Sequence, residues 1–416
     1  MAEDRERPDD SQVGALLWRA LDGEGVTAAR GFRAAGVACG IKESGDPDLA
    51  VVCSDRPAAA AGLFTANQVK AAPVRLSQAR IASGAAQAVV INAGNANACT
   101  GEQGRRDAEE MADFTAAILG INRELSLVAS TGYIGRQMPM DNIRSGIRDA
   151  CAALSPSGGA DAARAIMTTD TRPKAIAVEM ELNGRKVRVG GMAKGVGMIC
   201  PSIATMICVI TTDASIGARD LDLALRWAAD RSFNCITVDG DMSTNDTVIA
   251  FANGESGAQV AKEDDRRKFQ RALDYVTLRL AREIVTDGEG ATKIIEVHVS
   301  GTQEYEDARR IAMKIANSPL VKTAMYGADP NWGRIMAAAG AAGVEFDQAA
   351  VDVSLAGIPV VAAGAALPFD RPQANELLKA KEILVHVDLH AGPQSATVWT
   401  CDLTEEYIHI NAHYST

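Results

Sequence analysis

Between Lys194 and Ser215 the chain reads KGVGMICPSIATMICVITTDAS, and no other stretch constrains the fold as much. Its apolar, β-branched second half calls for a buried strand. Its first half is the reverse. Gly195 and Gly197 allow backbone conformations closed to other residues, and Pro201 forces extended geometry on Cys200. Small Ser202 and Ala204 leave room for a strained bond at the join, before Thr205. Two readings fit Thr205. It is a buried strand residue, or its hydroxyl attacks the Ala204 carbonyl and shifts the acyl group from nitrogen to oxygen, leaving an ester that water opens. The second reading yields a chain that begins at Thr205. Its α-amine, ordinarily with a pKa of about 7.7–8.0, then serves as the base for its own hydroxyl.

The remaining composition narrows the setting. A chain of 416 residues, 47% hydrophobic, has the length of roughly two or three domains and ample core. A net charge of −11 argues against nucleic acid as the main partner. The eight cysteines are dispersed without a C-x-x-C and read as reduced, mostly core thiols. The start, MAEDRERPDDSQVG, resembles neither a secretory signal nor a transit peptide. No run reaches the ~18 apolar residues of a membrane span, so a cytoplasmic protein is expected.

Strand-like and helical runs alternate through the first two-thirds. AVVINAG from Ala88 reads as a buried strand, and the run from Arg105 as a helix ended by Gly120. A helix near DNIRSGIRDACAAL is expected to be capped by Asp141. AIAVEMEL and KVRVGGMA, joined by Asn183-Gly184, predict a hairpin. Helices follow in RDLDLALRWAADRSF, EDDRRKFQRALDYVTLRLAREIV and EYEDARRIAMKIAN, with the strand KIIEVHVSG before the third. DPNWGRIMAAAGAAG predicts another helix, with Pro330 in its first turn. The last hundred residues turn strand-rich, which places a second domain from about residue 291.

Several chemistries are absent from the pattern. There is no G-x-x-x-x-G-K-[ST] loop, G-x-S-x-G elbow or H-E-x-x-H helix. His386 and His390 are expected on one strand face as structural residues rather than zinc ligands. DGDMSTNDT from Asp239 lacks the sixth-position glycine and twelfth-position glutamate of a calcium loop, so it reads as a turn held by Asx-type bonds. GNANACTGEQG from Gly94 is a strand-to-helix turn or an anion cradle. STGYIG from Ser130 is a turn, or a place where Thr131 and the Gly132 N–H aim at one point as an oxyanion hole. In DGEGATK, Glu289 between two glycines is a solvated loop residue or a carboxylate set beside a bound amine.

Taken together, LFTANQVKAAPV, AVVINAGNANACTG, STGYIG, AIMTTDTRPK, AKGVGMICPSIATM, FNCITVDGDMSTNDT, DGEGATK, DPNWGRIMAAAG and INAHYST resemble the ornithine acetyltransferase family. These are bifunctional glutamate N-acetyltransferases of arginine biosynthesis, and the likeness runs from about Gly31 to the end. The resemblance implies a layered α/β sandwich like that of N-terminal-nucleophile hydrolases with different connectivity, over residues 12–290, and a smaller C-terminal α/β domain over 291–416. It implies self-cleavage between Ala204 and Thr205, with Thr205 as nucleophile and acetyl carrier and Thr131 and Gly132 as oxyanion hole. Substrate binding is implied for Thr168, Lys194, Thr205, Glu289, Asn411 and Thr416. The implied reaction moves acetyl from N²-acetylornithine to glutamate by a ping-pong route without cofactor or metal. It leaves acetyl-CoA open as a second donor. The implied assembly is α and β chains cut from one precursor and paired into a heterotetramer, with no nucleic-acid or membrane partner. The rival reading is a self-cleaving aminopeptidase or amidohydrolase that uses the same nucleophile with water.

Overall fold

The computed structural model describes residues 18–200 and 206–413. Among them, nine strands form the larger sheet: β1 (Trp18–Ala20), β2 (Phe32–Val37), β3 (Leu49–Phe64), β4 (Ala85–Asn95), β5 (Ser126–Tyr133), β6 (Lys174–Leu182), β7 (Arg185–Lys194), β8 (Ile207–Thr212) and β9 (Thr247–Ala252). They lie in the order β1-β6-β7-β8-β9-β3-β4-β5, with β2 also beside β3. β3 is the hinge of this arrangement. Its first half pairs with β2 and β4, and from Ala59 to Phe64 it pairs with β9. The β4 register slips between Cys53 and Ala58, around Pro57, which has no N–H to give the ladder and fits a sheet interior only at such an irregularity.

β8 is the strand foreseen in the central run, and all six of its residues are buried. It pairs antiparallel with β7 and parallel with β9. Ile207 and Val209 enter one core with Ile249 and Phe251, while Cys208 and Ile210 enter the opposite core with Val248 and Ala250. A strand covered on both faces has no polar side, which is why its sequence does not alternate. The helices Ala218–Asp230 and Glu263–Thr286 cover one face through Leu221, Leu225, Phe269, Leu273, Val276 and Leu280. Farther along the sheet, the helices Gly101–Leu119 and Met140–Ala152 bury Met111, Ile143 and Ile147 against Leu49, Val51, Val90 and Val128. The result is a layered mixed α/β fold.

The second sheet takes β10 (Ile294–Thr302), β11 (Asp352–Leu355), β12 (Ile358–Ala362), β13 (Ala365–Ala366), β14 (Glu382–Asp388) and β15 (Gln394–Cys401), in the order β13-β12-β11-β14-β10-β15. The helix Tyr305–Ala316 packs on β10 and β15 through Ala308, Ile311 and Ile315. Ile294, Trp399 and Cys401 belong to the larger sheet's core, so the two sheets are joined by packing.

The β6/β7 hairpin turns at Asn183 and Gly184, with φ of 52° and 72°, the paired positive values that a two-residue turn of this hand needs. Three local expectations are corrected. Asp141 lies inside the first turn of its helix, ion-paired to Arg144 at 2.7 Å, and the cap position is Pro139. Pro330 precedes its helix, which starts at Trp332 with Asn331 as cap, because the Asn331 and Trp332 N–H groups turn back onto the Asp329 and Pro330 carbonyls. His390 lies beyond the end of β14 with φ of 53° and bonds Asp352 at 2.8 Å, so it shares no strand face with His386. All eight cysteines are free thiols; Cys53, Cys208, Cys235 and Cys401 are buried, and Cys99 is exposed.

Candidate active site

A cavity of about 110 Å³ opens where β5 and β7 end. Thr131, Gly132, Thr168, Thr169, Lys194 and Gly197 line it, with Asp239, Asp241, Ser243, Thr244 and Asn245 from the loop before β9, Glu289, and Tyr407 and Asn411 from the helix Glu405–His413. Six residues singled out from the sequence, Thr131, Gly132, Thr168, Lys194, Glu289 and Asn411, therefore meet in one place. Ala204, Thr205 and Thr416 lie outside the described residues.

Gly132 has φ of 128° and pairs across the sheet with Gly94. A Cβ there would run into the Gly94–Asn95 backbone, so only glycine lets β5 pass β4 this closely. This fixes Thr131 at the cavity wall. Its hydroxyl lies 3.4 Å from the Lys194 ammonium, which donates a shorter bond, 2.7 Å, to the Thr168 hydroxyl.

Behind this pair stands Asp170. Its carboxylate accepts the N–H of Thr168 at 3.0 Å, the N–H of Gly195 at 2.9 Å and the Lys174 ammonium at 2.6 Å. Lys174 also bonds Asp287 at 2.6 Å, and Lys194 stands 4.0 Å from Asp170. Burial alone would raise Asp170, but the Lys194 and Lys174 charges and the Gly195 N–H outweigh it and hold the carboxyl down at about 2. Lys194 is pulled the other way. Burial lowers it and Asp170 offsets that only in part. Thus Asp170 both supplies counter-charge and sets the backbone on which Thr168 and Lys194 sit.

Glu289 is organised from three sides. Its carboxylate accepts from the Thr169 hydroxyl at 2.7 Å and the Asn411 amide at 2.8 Å, and its own N–H bonds Val196 at 2.9 Å. Gly197 bears on the same carboxylate through its lack of a side chain. A Cβ there would come within 2.7 Å of Glu289 Oε2. The three candidate threonines are sorted by partner: Thr168 to Lys194, Thr169 to Glu289, and Thr171 to Asp287.

The loop before β9 was legible only as a turn, and it is one. Asp239 accepts from Asp241 N–H at 3.2 Å and Ser243 from Asn245 N–H at 3.0 Å. Its further contribution went unseen. Asn245 ties it to the Ala96 and Ser130 carbonyls at 2.6 and 2.8 Å, beside Thr131. Asp239 takes the Met198 and Ile199 N–H groups at 2.6 and 3.0 Å, and the Tyr407 hydroxyl at 3.3 Å. Its aspartates and asparagine were the available signal, but their partners lie some forty or more residues away in the chain.

The model of the ArgJ family matches residues 33–416. The chain belongs to the ArgJ family. It is 53% identical over 396 residues to the arginine biosynthesis bifunctional protein ArgJ of Symbiobacterium thermophilum, covering 94% of this chain and 98% of that one. It is 48% identical over 417 residues to the protein of the same name from Thermosynechococcus vestitus, covering 96% and 99%. A solved chain of ornithine acetyltransferase from Mycobacterium tuberculosis, complexed with ornithine, is 46% identical, with 44% of this chain and 98% of that chain covered and a TM-score of 0.42. ArgJ bifunctional enzymes are acetyltransferases of arginine biosynthesis, and this chain is an enzyme of that family.

Proposed function

We propose that this chain cuts itself between Ala204 and Thr205 and then transfers acetyl from N²-acetylornithine to glutamate through acetyl-Thr205. The observation that carries the reading is the single cavity holding Lys194, Glu289 and the Thr131–Gly132 pair together. An amino acid brings an α-carboxylate and an ammonium, and a cation and a carboxylate in one small cavity suit both. Lys194 pairs with the α-carboxylate common to donor and acceptor. Glu289 binds a substrate ammonium or tunes the Thr205 amine. Thr168 and Asn411 hold these two groups in place, and Thr416 completes the substrate contacts.

In the first half-reaction the Thr205 amine removes the hydroxyl proton as Oγ attacks the acetyl carbonyl. The Thr131 hydroxyl and Gly132 N–H stabilise the oxyanion. Ornithine leaves with the proton. Glutamate then enters, its amine attacks the ester, and N-acetylglutamate departs. Exchange between two amides is near thermoneutral and calls on no ATP, metal or cofactor; acetyl-CoA remains open as an additional donor. The same reading divides the chain into a catalytic domain at 12–290 and a C-terminal domain at 291–416. It pairs two cleaved protomers as a heterotetramer in the cytoplasm, with no nucleic-acid or membrane partner. Among the described residues no helix is long and apolar enough to cross a membrane.

The test is direct. Purified protein runs as Met1–Ala204 and Thr205–Thr416, the second starting TMICV. With N²-acetylornithine and no acceptor, one acetyl group accumulates on Thr205, since withholding the second substrate strands the intermediate. Label on Cys200 or Cys208 instead refutes the nucleophile. Hydrolysis outrunning transfer to glutamate favours the aminopeptidase or amidohydrolase reading.

A further inference from the structure

The charged groups lining the cavity fall into two sets. Lys194 and Glu289 are buried, at 3% and 8% exposure, and both are engaged, Lys194 with Thr168 and Glu289 with Thr169 and Asn411. Asp239 and Asp241 come from the loop before β9. Asp239 is taken up by local structure, its two oxygens accepting the Met198, Ile199 and Asp241 N–H groups and the Tyr407 hydroxyl. Asp241 is different. It is exposed, so it stands at the rim of the cavity, and among the described residues its carboxylate enters no hydrogen bond or ion pair.

Its backbone is fixed all the same. Gly240, with φ of 80°, makes a turn that suits glycine, and the Asp241 N–H folds back onto Asp239 at 3.2 Å. On the other side the Asn67 amide holds the Met242 carbonyl at 3.0 Å, and the Thr65 hydroxyl holds the Ser243 carbonyl at 2.7 Å. A carboxylate on a backbone tied from both sides is a preorganised acceptor, and little ordering opposes its use.

We propose that Asp241 receives the side-chain ammonium of the donor, so that the site selects a cationic diamino acid. This rests on the transfer reading above. In N²-acetylornithine the α-carboxylate and the acetylated nitrogen belong at the buried end, with Lys194 and the Thr131–Gly132 pair. The side chain then runs outward, and beyond three methylenes it carries the one positive charge of the molecule. Glu289 stays with the buried α-nitrogen, which becomes an ammonium only after the acetyl has left. Glutamate instead carries a carboxylate on its side chain, and a like charge at the rim opposes it. Asp241 therefore favours the donor and disfavours the acceptor. Opposite signs on two substrates are something that a merely structural residue would not produce.

The experiment compares N²-acetylornithine with N²-acetylnorvaline, which has the same three-carbon side chain without the amine, as donors to glutamate. With the unaltered enzyme at low salt, kcat/KM should favour the ornithine donor by about fivefold or more, the upper end for a pair in contact with water. The preference should fall by half or more between about 0.05 and 0.5 M salt, because an exposed pair is screened. A smaller preference overturns the proposal. So does a smaller fall with salt, which would assign the ammonium to buried Glu289. In Asp241→Asn the preference should drop about threefold or more, with KM for N²-acetylornithine raised and KM for glutamate level or lowered. A smaller drop, or a rise in both KM values, overturns the proposal. Asp241→Ser also removes the charge and gives the same reading should Asp241→Asn fail to mature. The two levels separate cleanly. If the unaltered chain moves no acetyl to glutamate, the transfer reading fails; if it does and Asp241→Asn keeps the full preference, only the role of Asp241 fails.

Discussion

Replacing Asp170 by Asn should destabilise the protein by about 3 kcal/mol at pH 7, in a way that fades with acid. Asp170 accepts three hydrogen bonds, one from the buried Lys174 ammonium. Removing one member of a buried charged pair costs about 3–5 kcal/mol; the low end applies because Asp287 still holds Lys174 at 2.6 Å. The pH-sensitive part follows from the carboxyl itself. A group held at about 2 rather than 3.8 contributes about 2 kcal/mol. Because the folded value is the lower one, this stabilisation is complete above about pH 5 and is lost as pH falls from there toward 2. Denaturant midpoints of both proteins at pH 7, 5 and 3.5, compared at a common slope, give the check. The gap should be constant from 7 to 5 and narrower at 3.5. A gap under 0.5 kcal/mol at pH 7, or one unchanged at 3.5, would refute the assignment of Asp170 as the charged hub of the site.

Two further substitutions address the cavity. Gly197→Ala places a methyl 2.7 Å from Glu289 Oε2, and since Thr169 and Asn411 hold both oxygens, the carboxylate can move only by giving up a bond. KM for the amino-acid substrates should rise about tenfold or more, near 1.4 kcal/mol, and an unchanged KM would show that Glu289 does not contact them. Thr131→Val removes the hydroxyl and should lower kcat by ~10²–10³, with KM little affected; a normal rate would reduce the end of β5 to an ordinary turn.

The strand β8, the Asn183-Gly184 hairpin and the helix end at Gly120 were readable because each is decided locally, by side-chain period or by a residue that alone tolerates positive φ. The strand order was not. β8 lies between β7 and β9, and β9 begins 35 residues after β8 ends, so nothing in either run names the other. The site shows the same limit more sharply. Thr168, Thr169 and Thr171 are chemically alike and nearly adjacent, and only their partners at Lys194, Glu289 and Asp287 distinguish them. Asp170, between them, carries the charge of the site yet matches no motif read from the sequence. The tail residue Asn411 was named through a family likeness, while the helix that carries it was not foreseen: TEEYIHINAH mixes polar and apolar positions without a clear face, and it packs with no residue of Glu405–His413 buried.

That helix makes the tail a graded test of how binding and processing are coupled. Among the described residues Asn411 reaches Glu289 and the Tyr407 carbonyl, whereas Tyr407 reaches Asp239, which holds Met198 and Ile199 ahead of the proposed cleavage point. Deleting Asn411–Thr416 therefore removes a bond to a carboxylate, about 1.5–3 kcal/mol, and leaves Tyr407 in place. Processing should proceed at its normal rate, with KM raised and kcat lowered only if the tail also closes the cavity. Deleting from Glu405 onward also takes away the Tyr407 bond to Asp239. The near flank of the proposed cleavage point then loses one of its supports, and processing should slow as well. Gel kinetics of cleavage and steady-state transfer, measured on both truncations, separate the two effects. Equal loss of processing in both would mean that the last six residues act on the cleaved bond itself, and normal transfer kinetics in the shorter deletion would remove Asn411 and Thr416 from the site.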